Sequence, residues 1–111
     1  NATLNYINKY GVLKKVKKIE KFFELNLKRF HKFSFVRDTR FLGAIGVIEV
    51  KELNQKTMIW LRNEFIKRGV WVRPLRNVVY FMPPFIIKKK QLVKIFNATE
   101  EIFELWQERI I

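Results

Sequence analysis

Apolar residues recur at Val12, Val16, Ile19, Phe23, Leu27 and Phe30, at helical intervals that line one side of an α-helix. An amphipathic helix over Val12–Phe30 is therefore expected. Gly11 is expected to separate it from a shorter helical lead-in, Ala2–Tyr10, because glycine costs roughly 1 kcal/mol against alanine inside a helix. Lys14, Lys15, Lys17, Lys18, Lys21, Lys28 and Arg29 fill the other positions and read as a solvated helix face.

From Phe33 the texture changes. Phe33, Phe35, Phe41, Leu42, Ala44, Ile45, Val47, Ile48 and Val50 form a β-prone run interrupted by Gly43 and Gly46, which suits one or two strands with bulges or close backbone approaches at the glycines. A second helix is expected from Gln55 to Arg68, with Asn54 as N-cap, Met58, Leu61 and Phe65 facing inward, and Gly69 as its left-handed terminator. Val70–Arg73 then reads as a strand, Pro74–Asn77 as a turn, and Val78–Met82 as a strand stopped by Pro83 and Pro84. A last helix over Lys88–Arg109 repeats Leu92, Ile95, Phe96, Thr99, Ile102, Phe103, Trp106 and Ile110 on one face. The order helix, strand, helix, hairpin, helix, without repeat or linker, describes one α+β domain with a small antiparallel or mixed sheet covered by helices.

The 111 residues suffice for one domain with a real core, and 11 Phe and 3 Trp supply ample material to fill it. No apolar run is long enough to span a bilayer, and the opening Asn1-Ala2-Thr3-Leu4 lacks a signal-peptide layout. A soluble, cytoplasmic protein without membrane contact is expected. The first residue is Asn, not Met, so the chain is expected to be cut from something longer at its front. Zero Cys and a single His, His31, leave no metal site to build.

The formal net charge of +13 invites a basic domain that binds nucleic acid or another anionic surface. The excess of Lys, Ile, Asn and Phe, which share A/T-rich codons, accounts for the same charge through base composition alone. With no nucleic-acid motif, nucleic acid is not expected as a partner.

The residues offer no nucleophile and base pair, no glycine-rich phosphate loop, and no close carboxylates beyond Glu100 and Glu101 on an ordinary helix. No catalytic residue is expected, and His31, at a helix end, is given no role. Arg73 closes an apolar strand just before Pro74. A guanidinium there can clamp a carboxylate through two parallel hydrogen bonds, or it is simply a surface arginine.

The segment Gly69–Ile87, GVWVRPLRNVVYFMPPFII, resembles the C-terminal signature of the adenosylmethionine-8-amino-7-oxononanoate aminotransferases, class III pyridoxal-phosphate enzymes known as diaminopelargonate synthases of biotin biosynthesis. The segment Val36–Glu49, VRDTRFLGAIGVIE, is similar to the strand that precedes this hairpin in the same family, and Asn1–Leu4 to the helix that follows its large domain. The resemblance implies that residues 1–111 are the small C-terminal domain of a fold-type I aminotransferase, with the large cofactor-binding domain absent. It implies transfer of an amino group from S-adenosylmethionine to 8-amino-7-oxononanoate in a homodimeric parent. Arg73 matches the arginine that binds the substrate carboxylate, and Tyr80 an aromatic position near the substrate. The Schiff-base lysine and the other pyridoxal-phosphate contacts belong to the large domain, so the isolated chain is expected neither to bind the cofactor nor to catalyse. The chain is thus read as a fragment of the enzyme or a nonfunctional gene relic.

Two positions depart from the family pattern. Arg76 stands where the family usually has glycine, a change costing on the order of 1 kcal/mol if the turn needs positive φ. Lys88 replaces a usual capping residue such as serine, a loss of about 1 kcal/mol.

Overall fold

The computed structural model describes residues 2–51, 53–70, 72–84 and 86–110, with the side chains of 2–10, 12 and 110 left undescribed. The side chains of Val12 and Ile110 in the expected apolar stripes, and Trp71 of the expected strand, lie outside what is described. Among the described residues three α-helices, α1 (Ala2–Asn26), α2 (Gln55–Lys67) and α3 (Lys89–Ile110), accompany four strands, β1 (Val36–Leu42), β2 (Ile45–Val50), β3 (Val72–Leu75) and β4 (Val78–Phe81). The strands form one sheet in the order β1-β2-β4-β3, antiparallel throughout.

Gly11 does not divide the first helix. α1 runs through it without a break, because glycine weakens a helix but keeps its N–H and its access to helical φ, unlike proline. The α-helix instead ends at Asn26, whose Nδ2 donates to the Phe22 carbonyl (2.9 Å), and a tighter 3-10 turn carries Leu27–Lys32. Ile19, Phe23, Leu27 and Phe30 are buried as expected, and so is Phe22, which widens the apolar face. Arg29 leaves the solvated face assigned to it. Its Nη1 donates to Asn97 Oδ1 (2.9 Å), and its guanidinium lies 5.4 Å from the Phe96 ring centroid, so it ties the 3-10 turn to α3.

The Phe33–Val50 run folds into two strands joined at Gly43 and Ala44. Gly43 sits at φ 58° and donates its N–H to Glu20 Oε2 on α1 (3.1 Å). Gly46 is a close approach: a Cβ built there would lie 3.1 Å from the Phe23 ring. Register then fixes what each face carries. Across β2, β4 and β3, Gly46 opposes Phe81 and Phe81 opposes Val72, while Ile48 opposes Val79 and Val79 opposes Pro74. These residues are buried. Over that inner face lie Phe23, Phe30 and Phe96, with Phe96 4.7 Å from Phe81 between ring centroids and Phe30 5.6 Å from Phe103.

α2 begins and ends as its residues dictate. Asn54 Oδ1 accepts the Thr57 N–H (2.8 Å). At the other end Gly69, at φ 67°, donates to the Ile66 carbonyl, and Val70 donates to the Phe65 carbonyl (both 3.0 Å). That bond pair is a Schellman closure, completed by burial of both Val70 and Phe65. At the start of α3 the backbone N–H of Lys88 donates to Gln91 Oε1 (2.9 Å). Half a capping box thus stands in for the missing serine.

The second hairpin corrects the expected turn. Pro74 lies within β3, and only Arg76 and Asn77 separate the strands. β3 is an edge strand, where a residue without an N–H costs the ladder nothing on its open side. Arg76 takes φ 56°, so the turn does demand positive φ at the family's glycine position.

Candidate functional site

Alternation along the sheet places Arg40, Val47, Tyr80 and Arg73 in one row across all four strands, on the face opposite the aromatic core. Arg73 and Tyr80 are direct cross-strand partners, so the two residues singled out by sequence stand side by side. Arg73 is exposed and Tyr80 half-buried. Both line a groove of about 810 Å³ between the C-terminal half of α2 and β3, together with Arg62, Ile66, Val70, Val72, Leu75 and Met82. Its walls are mainly apolar, and Ile66, Leu75 and Met82 expose 67%, 54% and 48% of their surface. That much uncovered aliphatic surface beside a guanidinium suits a ligand with a hydrocarbon chain and one anionic end.

The two arginines at the ends of the row differ in their electrostatic company. Arg40 is held by Glu49 Oε1 (3.0 Å) and Asp38 Oδ2 (3.2 Å), and the Glu49 hydrogen bond raises its pKa further above the ordinary guanidinium value. Its charge is neutralised within the sheet. Among the described residues Arg73 makes no ion pair, and it lines the groove, where a guanidinium can offer two parallel N–H donors to an anion.

Arg62 was not legible as a groove residue. On sequence it is one more basic residue of α2, and only its place one turn before Ile66 hints at a shared face. The Schellman closure at Gly69 brings the chain back along α2, which sets β3 beside the Arg62 and Ile66 side of the helix. His31 makes a local contact, Nε2 to Thr39 Oγ1 at 2.8 Å, away from this groove. Glu100 pairs with Lys32 (2.7 Å) and Glu101 with Arg68 (3.3 Å), so both are structural.

The described groove lining contains no lysine and no carboxylate. Pyridoxal phosphate requires an amine for its Schiff base and a partner for its ring nitrogen, so the groove does not fit that cofactor. Its apolar walls and basic residues suit a ligand with one anionic end and an aliphatic chain.

The architecture is that of solved aminotransferases. An omega-aminotransferase from Paracoccus denitrificans superposes with a TM-score of 0.80 at 21% identity, covering 92% of this chain and 25% of its own. The adenosylmethionine-8-amino-7-oxononanoate aminotransferase of Methanocaldococcus jannaschii superposes at 0.74 with 24% identity, covering 93% and 26%. The fold is thus the small α+β domain of a fold-type I pyridoxal-phosphate aminotransferase. The family profile Aminotransferase class-III matches residues 1–103, and the chain belongs to that family. A similar curated protein, the adenosylmethionine-8-amino-7-oxononanoate aminotransferase of Buchnera aphidicola subsp. Schizaphis graminum, is 36% identical over 101 residues, which are 91% of this chain and 23% of the relative. The chain therefore spans about a quarter of the length of such relatives. Among the described residues no helix is long and apolar enough to cross a membrane.

Proposed function

We propose that the chain is the small C-terminal domain of a cytoplasmic, homodimeric aminotransferase that moves an amino group from S-adenosylmethionine to 8-amino-7-oxononanoate. The observation that carries this is the juxtaposition of Arg73 and Tyr80 on adjacent strands at an apolar groove, in a chain whose similar relative bears that enzyme's name. Arg73 holds the substrate's carboxylate through a charge-assisted fork. Ile66, Leu75 and Met82 cover its aliphatic chain, and the Tyr80 ring fixes the chain's lateral position. The remainder of the enzyme holds the cofactor and its lysine, so this chain supplies orientation and substrate selection without chemistry of its own.

The test is an assay of the complete enzyme, with this chain in its place, for 7,8-diaminononanoate formed from the two substrates, beside the isolated chain. Product from the complete enzyme alone is expected. Turnover by the isolated chain, or failure of the complete enzyme to use 8-amino-7-oxononanoate while accepting another ketone, overturns the proposal.

A further inference from the structure

The groove that presents Arg73 carries a second guanidinium. Arg62 projects from α2 on the wall facing β3, one helical turn before Ile66, and lines the same cavity. It is exposed and, like Arg73, makes no ion pair among the described residues. No described lining residue is acidic. Elsewhere arginines such as Arg40 and Arg68 are matched with carboxylates of the chain itself. Two permanently charged, weakly hydrated groups thus line one apolar-walled groove with no carboxylate among the described lining residues.

We infer that Arg62 is a second carboxylate anchor, set to hold a carboxylate at a different position along the groove from the one Arg73 holds. The inference rests on the groove being a substrate site and adds to it. The two proposed substrates each carry one carboxylate, placed differently relative to the reacting carbon. In S-adenosylmethionine it is attached to the carbon that bears the amine. In 8-amino-7-oxononanoate it lies six bonds from the ketone carbon. A groove that serves both in turn, with the reacting carbon in one place, meets anions at two places. A single guanidinium on a short edge strand reaches only one of them.

A linear aliphatic diacid of the right length occupies both anchors at once, and this gives the test on the full 111-residue chain. Binding of butyrate, hexanoate and octanoate is compared with succinate, adipate and suberate by NMR titration, in the unmodified chain and in Arg62→Gln and Arg73→Gln. Both side chains are exposed, and unchanged melting curves verify that the variants fold. One diacid length is expected to bind about tenfold or more tighter than its monoacid, the scale of one charge-assisted hydrogen bond. Arg62→Gln is expected to abolish that advantage while leaving monoacid affinity within about twofold, and Arg73→Gln to weaken both acids. Equal affinity at every length, or a diacid advantage that survives Arg62→Gln and so reflects only the net charge of +13, overturns the inference and leaves the Arg73 assignment standing. Absence of binding by any acid overturns both.

Discussion

Replacing Arg76 with glycine is expected to stabilise the domain. Arg76 occupies the first turn position of the β3–β4 hairpin at φ 56°, a region where glycine is the default for two-residue hairpin turns. Holding a residue with a Cβ there costs roughly 1–2 kcal/mol. Glycine removes that cost but gives the unfolded chain extra freedom, worth about 0.5–1 kcal/mol against folding. The side chain is exposed and makes no hydrogen bond or ion pair among the described residues, so little packing is lost with it. The net gain is about 0.5–1 kcal/mol, or roughly 2–5 °C in Tm for a domain of this size. Thermal and urea unfolding followed by circular dichroism measure it, and Arg76→Ala is the control. Alanine keeps the Cβ and the strain, so it is expected to gain nothing. A glycine variant no more stable than the parent, or an alanine variant stabilised equally, refutes the attribution to backbone strain.

Gly46→Ala is expected to cost about 1–3 kcal/mol, read as a lower urea midpoint. The added Cβ meets the Phe23 ring at 3.1 Å, and Phe23 is itself fixed between Phe81 and Phe96. The Lys32 pair yields a pH signature. Its hydrogen bond to Glu100 raises the lysine pKa above its ordinary value, so the pair's contribution is fully present below the unfolded-state pKa and is lost as pH rises through the folded one. The stability difference between the parent and Lys32→Met is therefore expected to stay flat across neutral pH and to shrink only above about pH 10.4, the ordinary lysine value. Denaturation midpoints measured against pH check it, and a difference that shrinks on acidification through neutrality contradicts the assignment.

Legibility followed the locality of the signal. The Asn54 cap and Gly69 stop of α2 were readable because a capping side chain and a left-handed terminator act on residues within one helical turn. The inner faces of the helices were readable from periodicity. Proline's local statistics favour turns, so Pro74 by itself reads as a turn residue, and only the strand order, a long-range property, shows β3 to be an edge where proline is tolerated. Gly11 does not break α1 for the opposite reason. A single residue's propensity is small beside the continuity of a long helix. At the site, Arg73 and Tyr80 were visible through a family signature and not through pattern, since a basic residue at a strand end is ordinary by itself. Arg62 escaped because its groove exists only once α2 and β3 are brought together.

The most direct measurement is steady-state kinetics of the complete enzyme with Arg73→Ala, accompanied by its cofactor absorbance spectrum. If Arg73 anchors the acceptor's carboxylate, KM for 8-amino-7-oxononanoate rises about 10- to 100-fold, the loss of a charge-assisted pair worth roughly 1.5–3 kcal/mol, while the cofactor spectrum stays as in the parent. An unchanged KM contradicts the role given to Arg73 and, with it, the groove as the place where this domain selects its substrate.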